Sequence, residues 1–97
     1  MILSFHDKTT EAIFNGILNQ KTRKRLPQDL HPKAQMLMTL IDAAVDIREL
    51  ATPPSNQLEL LLGDRKDQHS VRINRKYRIC FVWTTAGPES VEIVDYH

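Results

Sequence analysis

The residues best suited to acid–base chemistry stand at the end of the sequence, as Asp95-Tyr96-His97. Histidine is the side chain whose ordinary pKa suits proton transfer near neutral pH. An arginine such as Arg78 matches the oxygens of a phosphate and stabilises charge that develops on them. Cleavage of RNA without a metal needs these parts: a base for the 2′-hydroxyl, an acid for the leaving 5′-oxygen and a cation at the phosphorus. The same final residues also fit a frayed polar terminus.

Most of the basic residues fall in two clusters, although the net charge of the chain is only +1. The first cluster is Lys21, Arg23, Lys24 and Arg25, and the second is Arg65, Lys66, Arg72, Arg75, Lys76 and Arg78. A nearly neutral protein can therefore present a basic face of the kind that binds phosphates. The alternative is a solvated loop together with a solvated strand face.

Length and composition indicate one small globular domain. The 97 residues are 41% hydrophobic and 26% charged, which argues against intrinsic disorder. No apolar run approaches the ~18 residues of a membrane span, and no secretory signal is visible. The single cysteine and the scattered histidines give no zinc-ligand spacing, and the glycines form no phosphate-binding loop. We therefore expect a cytoplasmic protein without a metal or a cofactor.

Two helices are predicted in the first half of the chain. Asp7 is a suitable N-cap for a helix that reaches about Leu18. A second helix has Pro32 in its first turn and ends near Leu50. Its apolar face consists of Ala34, Leu37, Leu40, Ile41, Ala44 and Val45. The polar segment 19–31 between the two helices is predicted to be a loop.

After Asn56 the period of the apolar residues changes from 3.6 to 2, which predicts strands. Four alternating runs, at 58–62, 70–74, 77–83 and 91–96, predict an antiparallel meander. Leu3 and Phe5 could add an edge strand. The sequence therefore predicts an α+β fold in which two N-terminal helices pack on one face of a small twisted antiparallel β-sheet.

Strand alternation predicts which side chains face the helices and which face away. The set assigned to the helix side is Leu58, Leu60, Val71, Ile73, Ile79, Phe81, Val91 and Ile93. The opposite face then carries Glu59, Leu61, Arg72, Asn74, Arg78, Cys80, Glu92, Val94 and Tyr96. This mixture fits either a catalytic surface or plain cross-strand ion pairs. Cys80, between apolar residues in mid-strand, is expected to be structural and not a nucleophile.

Three stretches of the sequence together resemble the HigB-type toxins of the RelE/ParE superfamily. They are Met1-Ile2-Leu3-Ser4-Phe5, the stretch from Leu62-Gly63-Asp64-Arg65 to Tyr77-Arg78-Ile79, and Val94-Asp95-Tyr96-His97. The resemblance covers essentially the whole chain, so that residues 1–97 form one RelE/HigB-like toxin domain.

The resemblance implies a function and partners. Such toxins are ribosome-dependent mRNA endonucleases that cut the message in the decoding site without a metal, and they thereby inhibit translation. A HigA-like helix-turn-helix antitoxin neutralises them, and the pair represses its own promoter. The implied partners are this antitoxin, the ribosome and mRNA, with operator DNA bound only through the antitoxin and with no membrane.

The resemblance, together with the place of Glu59 on the predicted open face, assigns roles to residues of this sequence. His97 and Glu59 would transfer protons and Arg78 would stabilise the phosphate. Tyr96 would orient or stack on a base, and Asp95 would position its neighbours. The residues expected to bind messenger or ribosomal RNA are Arg65, Lys66, His69, Arg72, Lys76, Lys21, Arg23, Lys24 and Arg25.

The sequence departs from the family pattern before the Gly-Asp-Arg motif. Well-known members have a histidine and a lysine there, where this chain has Glu59 and Leu62. Loss of the lysine removes a charge that could stabilise the transition state, and Glu59 could replace the histidine as a base. His69 stands where the family usually has an aromatic residue, and we expect it close to the site.

A second hypothesis is a binding module without catalytic activity. Such a protein would act as a co-repressor with its antitoxin, or would block another target such as gyrase. Leu62 in place of the lysine favours this hypothesis, whereas the intact Asp95-Tyr96-His97 ending opposes it.

Overall fold

The computed structural model describes residues 1–95, so that Tyr96 and His97 lie outside the described residues. The helices are α1 (Lys8–Phe14), α2 (Gln20–Arg25) and α3 (His31–Ala43). The strands are β1 (Glu59–Leu60), β2 (His69–Arg72), β3 (Tyr77–Thr84) and β4 (Gly87–Asp95). Helices followed by an antiparallel sheet confirm the predicted α+β class. No helix within residues 1–95 has the length and apolar character of a membrane span.

Helix α1 begins as predicted and ends early. The Asp7 carboxylate accepts a hydrogen bond of 2.7 Å from the backbone N–H of Thr10, which caps the helix. The helix stops at Phe14 and not near Leu18. Gly16 follows with a φ of +80°, a left-handed conformation that ends helices and that glycine adopts at little cost.

Helix α2 lies inside the segment that was predicted to be a loop, so this prediction is wrong. A capping box starts the helix, because Asn19 and Thr22 each bind the other's backbone N–H through their side chains. Thr22 and Leu26 are buried and anchor the helix to the rest of the protein. The remaining residues of α2 are polar or basic and mostly exposed, so the segment lacks the apolar period by which helices are recognised.

Helix α3 is shorter than predicted. It ends at Ala43, because Ala44 is extended and Asp46 caps a new 3₁₀ segment, Ile47–Ala51, through a capping box with Glu49. The predicted apolar face is correct for most of its length, but Leu40 is 40% exposed and Val45 is 90% exposed. Val45 follows the end of α3, so it is no longer on the helix face.

The sheet is an antiparallel meander with strand order β1-β2-β3-β4. Alternation is correct for the three long strands: Val71, Ile73, Ile79, Phe81, Val91 and Ile93 are all buried in the core. Leu60 was assigned to the helix side but is 57% exposed, and Leu61 was assigned to the opposite face but is buried. Strand β1 is an edge strand of two residues, so alternation there does not determine burial.

The core fills the space between the helices and one face of the sheet. Ile13 of α1 and Leu37 and Ile41 of α3 belong to the same buried cluster as the apolar residues of β2, β3 and β4. The N-terminal residues lie along β4 through backbone hydrogen bonds and form a parallel bridge between Phe5 and Val91, in place of the predicted edge strand.

A register shift between Cys80 and Val82 marks a bulge in β4. Cys80 pairs with Glu92, whereas Val82 pairs with Glu89, so that β4 has one residue more than β3 across this interval. Both glutamates therefore lie on the face opposite the helices, although three positions separate them in the sequence.

Candidate functional site

The sheet face opposite the helices, called here the site face, carries three of the predicted site residues, Glu59, Arg72 and Arg78. Cross-strand pairing places Glu59, Ser70, Cys80 and Glu92 in one row, and Arg72, Arg78 and Val94 in the next. The prediction that arginines and carboxylates gather on this face is confirmed for the described residues. They form two groups with different partners.

Arg78 is buried at one end of the site face, with a relative exposure of only 7%. Its Nε donates a hydrogen bond of 2.7 Å to the hydroxyl of Ser70, and its Nη2 donates one of 2.7 Å to the carbonyl of Gln57. The Oε1 of Glu59 lies 3.4 Å from the same Nη2, which completes an ion pair. Bonds on two sides of the guanidinium fix its plane and make Arg78 a preorganised cation.

The Gln57 carbonyl reaches Arg78 because the backbone there takes an uncommon conformation. Gln57 has φ +46° and ψ +54°, the left-handed region, at the end of the 3₁₀ segment Pro54–Asn56. This conformation costs a residue with a Cβ about 1 kcal/mol. The buried side chain of Asn56 donates to the carbonyls of Leu50 and Thr52 and so anchors the segment that presents Gln57.

The second group, called here the ion-pair cluster, consists of Asp7, Arg25, Arg65 and Glu92. Arg65 donates to Glu92 at 3.1 Å and to Gln68 at 3.0 Å. Arg25 forms a bidentate pair with Asp7 at 3.1 and 2.7 Å and also donates to the backbone carbonyl of Ile93. Arg25 and Arg65 were predicted to bind RNA, and the fold binds both of them to carboxylates.

The partners of Asp7 control its pKa. Burial alone would raise the pKa of this carboxyl, but hydrogen bonds from Arg25 and Thr10 bring it below its usual value. The same carboxylate caps α1 and holds Arg25 of α2, and Arg25 in turn donates to the Ile93 carbonyl, so that these two side chains join both helices to β4. This joint stabilises the fold.

Cys80 lies between the two groups and is fully buried. Burial raises the pKa of its thiol to about 11, and the charges of Arg65, Glu92, Arg78 and Glu59 partly cancel one another around it. The thiol therefore stays protonated at neutral pH and is a poor nucleophile. This agrees with the expectation that Cys80 is structural.

His69 lies on the other face from Arg78. It pairs with Leu60 and Phe81 across the strands, and its ring stacks on that of Phe81 at a centroid distance of 6.3 Å. Its Nδ1 is buried and has no hydrogen-bond partner in the described part of the chain, and burial lowers the pKa of the imidazole. His69 was expected close to the site, and the register directs its side chain toward the helix side, away from the face that carries Arg78.

The other predicted RNA-binding residues lie on exposed surfaces. Lys21, Arg23 and Lys24 are on the solvent side of α2, with Arg23 donating to Gln28, and Lys66 is in the loop before β2. Lys76 lies 3.7 Å from the Asp95 carboxylate and over the ring of Tyr77.

The predicted catalytic residues are only partly within the described residues. Glu59 is about half exposed beside Arg78, and Asp95 pairs with Tyr77, the residue before Arg78. Tyr96 and His97 lie outside the described residues. Leu62, where the family has a lysine, is 86% exposed. Within residues 1–95, no group of three His, Cys, Asp or Glu side chains is arranged to hold a metal.

Sequence reasoning named Glu59 but missed the other two residues that hold Arg78, Ser70 and Gln57. Ser70 has the same strand parity as Arg72, so alternation placed it on the site face, although its polar side chain was given no role. The Gln57 contact has no sequence signal, because it is made by a backbone carbonyl in an irregular segment.

Comparison with known proteins identifies the family. Residues 3–97 match the model for the HigB-like toxins, described as RelE-like toxins of the type II toxin–antitoxin system HigB. The chain is 31% identical to Toxin HigB-1 of Vibrio cholerae over 83 residues, 86% of this chain and 84% of that protein. It is also 32% identical to an uncharacterized protein of Haemophilus influenzae over 60 residues, 62% of this chain and 59% of that protein. This chain therefore belongs to the HigB-like family of RelE-like toxins of type II toxin–antitoxin systems.

Proposed function

We propose that this toxin is a metal-independent endoribonuclease that cuts mRNA on the ribosome and is neutralised by a HigA-like helix-turn-helix antitoxin. RelE-like toxins are generally endoribonucleases. The observation that carries the proposal is Arg78, a buried guanidinium held at its Nε by Ser70 and at its Nη2 by Gln57 and Glu59. The proposal includes that residues 1–97 form one toxin domain and that the protein is located in the cytoplasm.

The proposed reaction is an attack of the 2′-oxygen on the adjacent phosphorus. A base takes the 2′-hydroxyl proton, the bond from phosphorus to the 5′-oxygen breaks, and an acid protonates that oxygen. The products are a 2′,3′-cyclic phosphate and a 5′-hydroxyl. Arg78 would stabilise the negative charge that accumulates on the phosphoryl oxygens, and Glu59 and His97 would be the proton-transfer pair.

Two features of the described residues support these roles. Glu59 is ion-paired with Arg78 and half exposed, so a carboxylate and a guanidinium lie together at the solvent boundary. Asp95 is the partner of Tyr77 in the sheet, next to Arg78, and the chain continues from there into Tyr96 and His97. Tyr96 would stack on a base, and Asp95 would position the final residues.

Primer extension on a defined message in a reconstituted translation system tests the proposal. Wild-type toxin is expected to cut inside codons only when ribosomes are present, and His97→Ala is expected to lose the cuts. Wild-type cleavage by His97→Ala would contradict the role of this residue. Intact message under wild-type toxin would contradict the nuclease itself and leave the binding-module hypothesis, which the exposed Leu62 in place of a lysine favours.

A further inference from the structure

A basic groove lies next to Arg78, between the turn that joins β2 to β3 and the start of α3. Its volume is about 510 Å³, which is within the range of ligand-binding clefts. Three cations line it: Lys33 from α3, Arg72 at the end of β2 and Arg75 in the turn. Ser55, Gln57 and Asn74 form the rest of its polar wall, and none of its lining residues within the described chain is a carboxylate.

The arginines of this groove differ from the other arginines in their partners. Arg25, Arg48, Arg65 and Arg78 are all ion-paired with carboxylates, and Arg23 donates to Gln28. Among the described residues, neither Arg72 nor Arg75 has such a partner. Lys33, forty residues earlier in the sequence, is brought to the same groove and is also without a carboxylate partner there. Unneutralised cations that converge on one concave surface attract an anion.

The groove is joined to Arg78 by Gln57. This residue lines the groove and its carbonyl accepts the hydrogen bond from the Arg78 guanidinium. Arg72 is also the cross-strand partner of Arg78 in the register between β2 and β3. A polyanion that occupies the groove would therefore have another of its phosphates close to Arg78.

We propose that this groove binds the sugar–phosphate backbone of the message, on one side of the phosphate that is cut. Lys33, Arg72 and Arg75 bind phosphate oxygens, and the Ser55 hydroxyl can hydrogen-bond to the ribose or the phosphate. Lys33 thereby receives a role that sequence reasoning did not give it, and Arg75, a member of the second basic cluster, receives a specific place. The assignment of the message as ligand rests on the proposed function, whereas binding of single-stranded RNA does not.

The test compares two double variants that remove the same charge. Lys33→Ala/Arg75→Ala removes cations of the groove, and Lys8→Ala/Arg48→Ala removes exposed cations elsewhere. Binding of a fluorescein-labelled oligouridine to the purified protein is measured by anisotropy over a range of salt concentrations. The groove variant is expected to bind about tenfold more weakly, with a salt slope lower by about 1.4, because each lost phosphate contact removes ~0.7. The control variant is expected to keep the wild-type slope.

A second arm measures single-turnover cleavage of a defined message on ribosomes. The groove variant is expected to need more toxin for half-maximal rate and to keep the maximal rate. Equal behaviour of the two double variants in both arms overturns the proposal. A loss in the ribosome arm alone overturns the message as ligand and points to ribosomal RNA. If wild-type toxin does not cut the message, the proposed function fails, and the anisotropy arm still decides whether the groove binds RNA.

Discussion

The arginines of the ion-pair cluster lie beside β4 and are bound by the carboxylates of Asp7 and Glu92. At the turn between β2 and β3, in contrast, Arg72 and Arg75 face a groove without a described carboxylate. Both regions look alike in the sequence, as basic residues near polar ones. The two regions differ because the fold brings carboxylates close to the arginines in the first region and not, among the described residues, in the second. The comparison teaches that membership of a basic cluster does not determine the surroundings of an arginine in this protein: carboxylates neutralise some of them, whereas Arg72 and Arg75 face a groove without one among the described residues.

The variant Arg25→Ala is the strongest test of whether the ion-pair cluster stabilises the fold. The change removes a bidentate ion pair with Asp7 and leaves the Ile93 carbonyl without its donor. We expect the free energy of unfolding to fall by about 2–3 kcal/mol, measured by urea denaturation. Arg48→Ala is the matched control, since its pair with Asp46 is on the surface and its loss should change stability very little. Equal effects of the two changes would show that the ion-pair cluster does not support the fold.

The exposed lysines of α2 provide a second test of the comparison, because they have no carboxylate partner among the described residues. Lys21 and Lys24 have no carboxylate partner among the described residues, in contrast to Arg25 in the same helix. Lys21→Ala/Lys24→Ala is expected to weaken ribosome binding several-fold and to flatten its salt dependence, because fewer counterions are released. The measurement is the ribosome dissociation constant at a series of salt concentrations. An unchanged slope, equal to that of Lys8→Ala/Arg48→Ala, would mean that α2 does not contact RNA.

A low pH should weaken the ion-pair cluster, because it protonates the carboxylate of Asp7. Folding lowers the pKa of this carboxyl below its ordinary value of 3.8. Its contribution to stability is therefore complete above that value and is lost as the pH falls through the lower value in the folded protein. Asp7→Asn should be less stable near neutral pH and should lose less stability on acidification than the wild type. Parallel stability curves for the two proteins below pH 4 would contradict this linkage.

The smallest effect is expected at His69. Folding lowers the pKa of its imidazole, so the unfolded chain binds the proton more tightly. Stability should therefore decrease as the pH falls below the ordinary value of 6.5, and His69→Gln should remove this part of the decrease. Thermal unfolding of both proteins at pH values on either side of 6.5 measures this decrease in stability. If His69→Gln loses as much stability as the wild type on acidification, the decrease belongs to another titratable group.

Strand alternation predicted the parts of the fold that have one buried face. The apolar residues of β2, β3 and β4 are in the core, and the arginines and carboxylates between them are on the site face. The prediction failed at β1, an edge strand of two residues, where Leu60 is exposed and the following Leu61 is buried. It failed also at α2, whose capping box of Asn19 and Thr22 is visible in the sequence but has no apolar stripe behind it.

The partners of the site residues were beyond local sequence patterns. Arg25 contacts Asp7 and Ile93, which are 18 and 68 positions away, and only the packed fold brings them together. Arg78 depends on a backbone carbonyl in an irregular segment, and the groove combines Lys33 of a helix with Arg75 of a turn. Residue types and the family resemblance indicated which side chains matter, whereas their pairing required the structure.

The most direct test of the account is the single-turnover rate of message cleavage on ribosomes by Arg78→Lys, with Arg25→Lys as control. Both changes keep the charge and remove the planar fork of donors. The account predicts that Arg78→Lys cuts about a hundredfold more slowly, whereas Arg25→Lys, compared at equal folded fraction, cuts at the wild-type rate. Wild-type cleavage by Arg78→Lys, or an equal loss in both variants, would contradict the assignment of Arg78 to the phosphate.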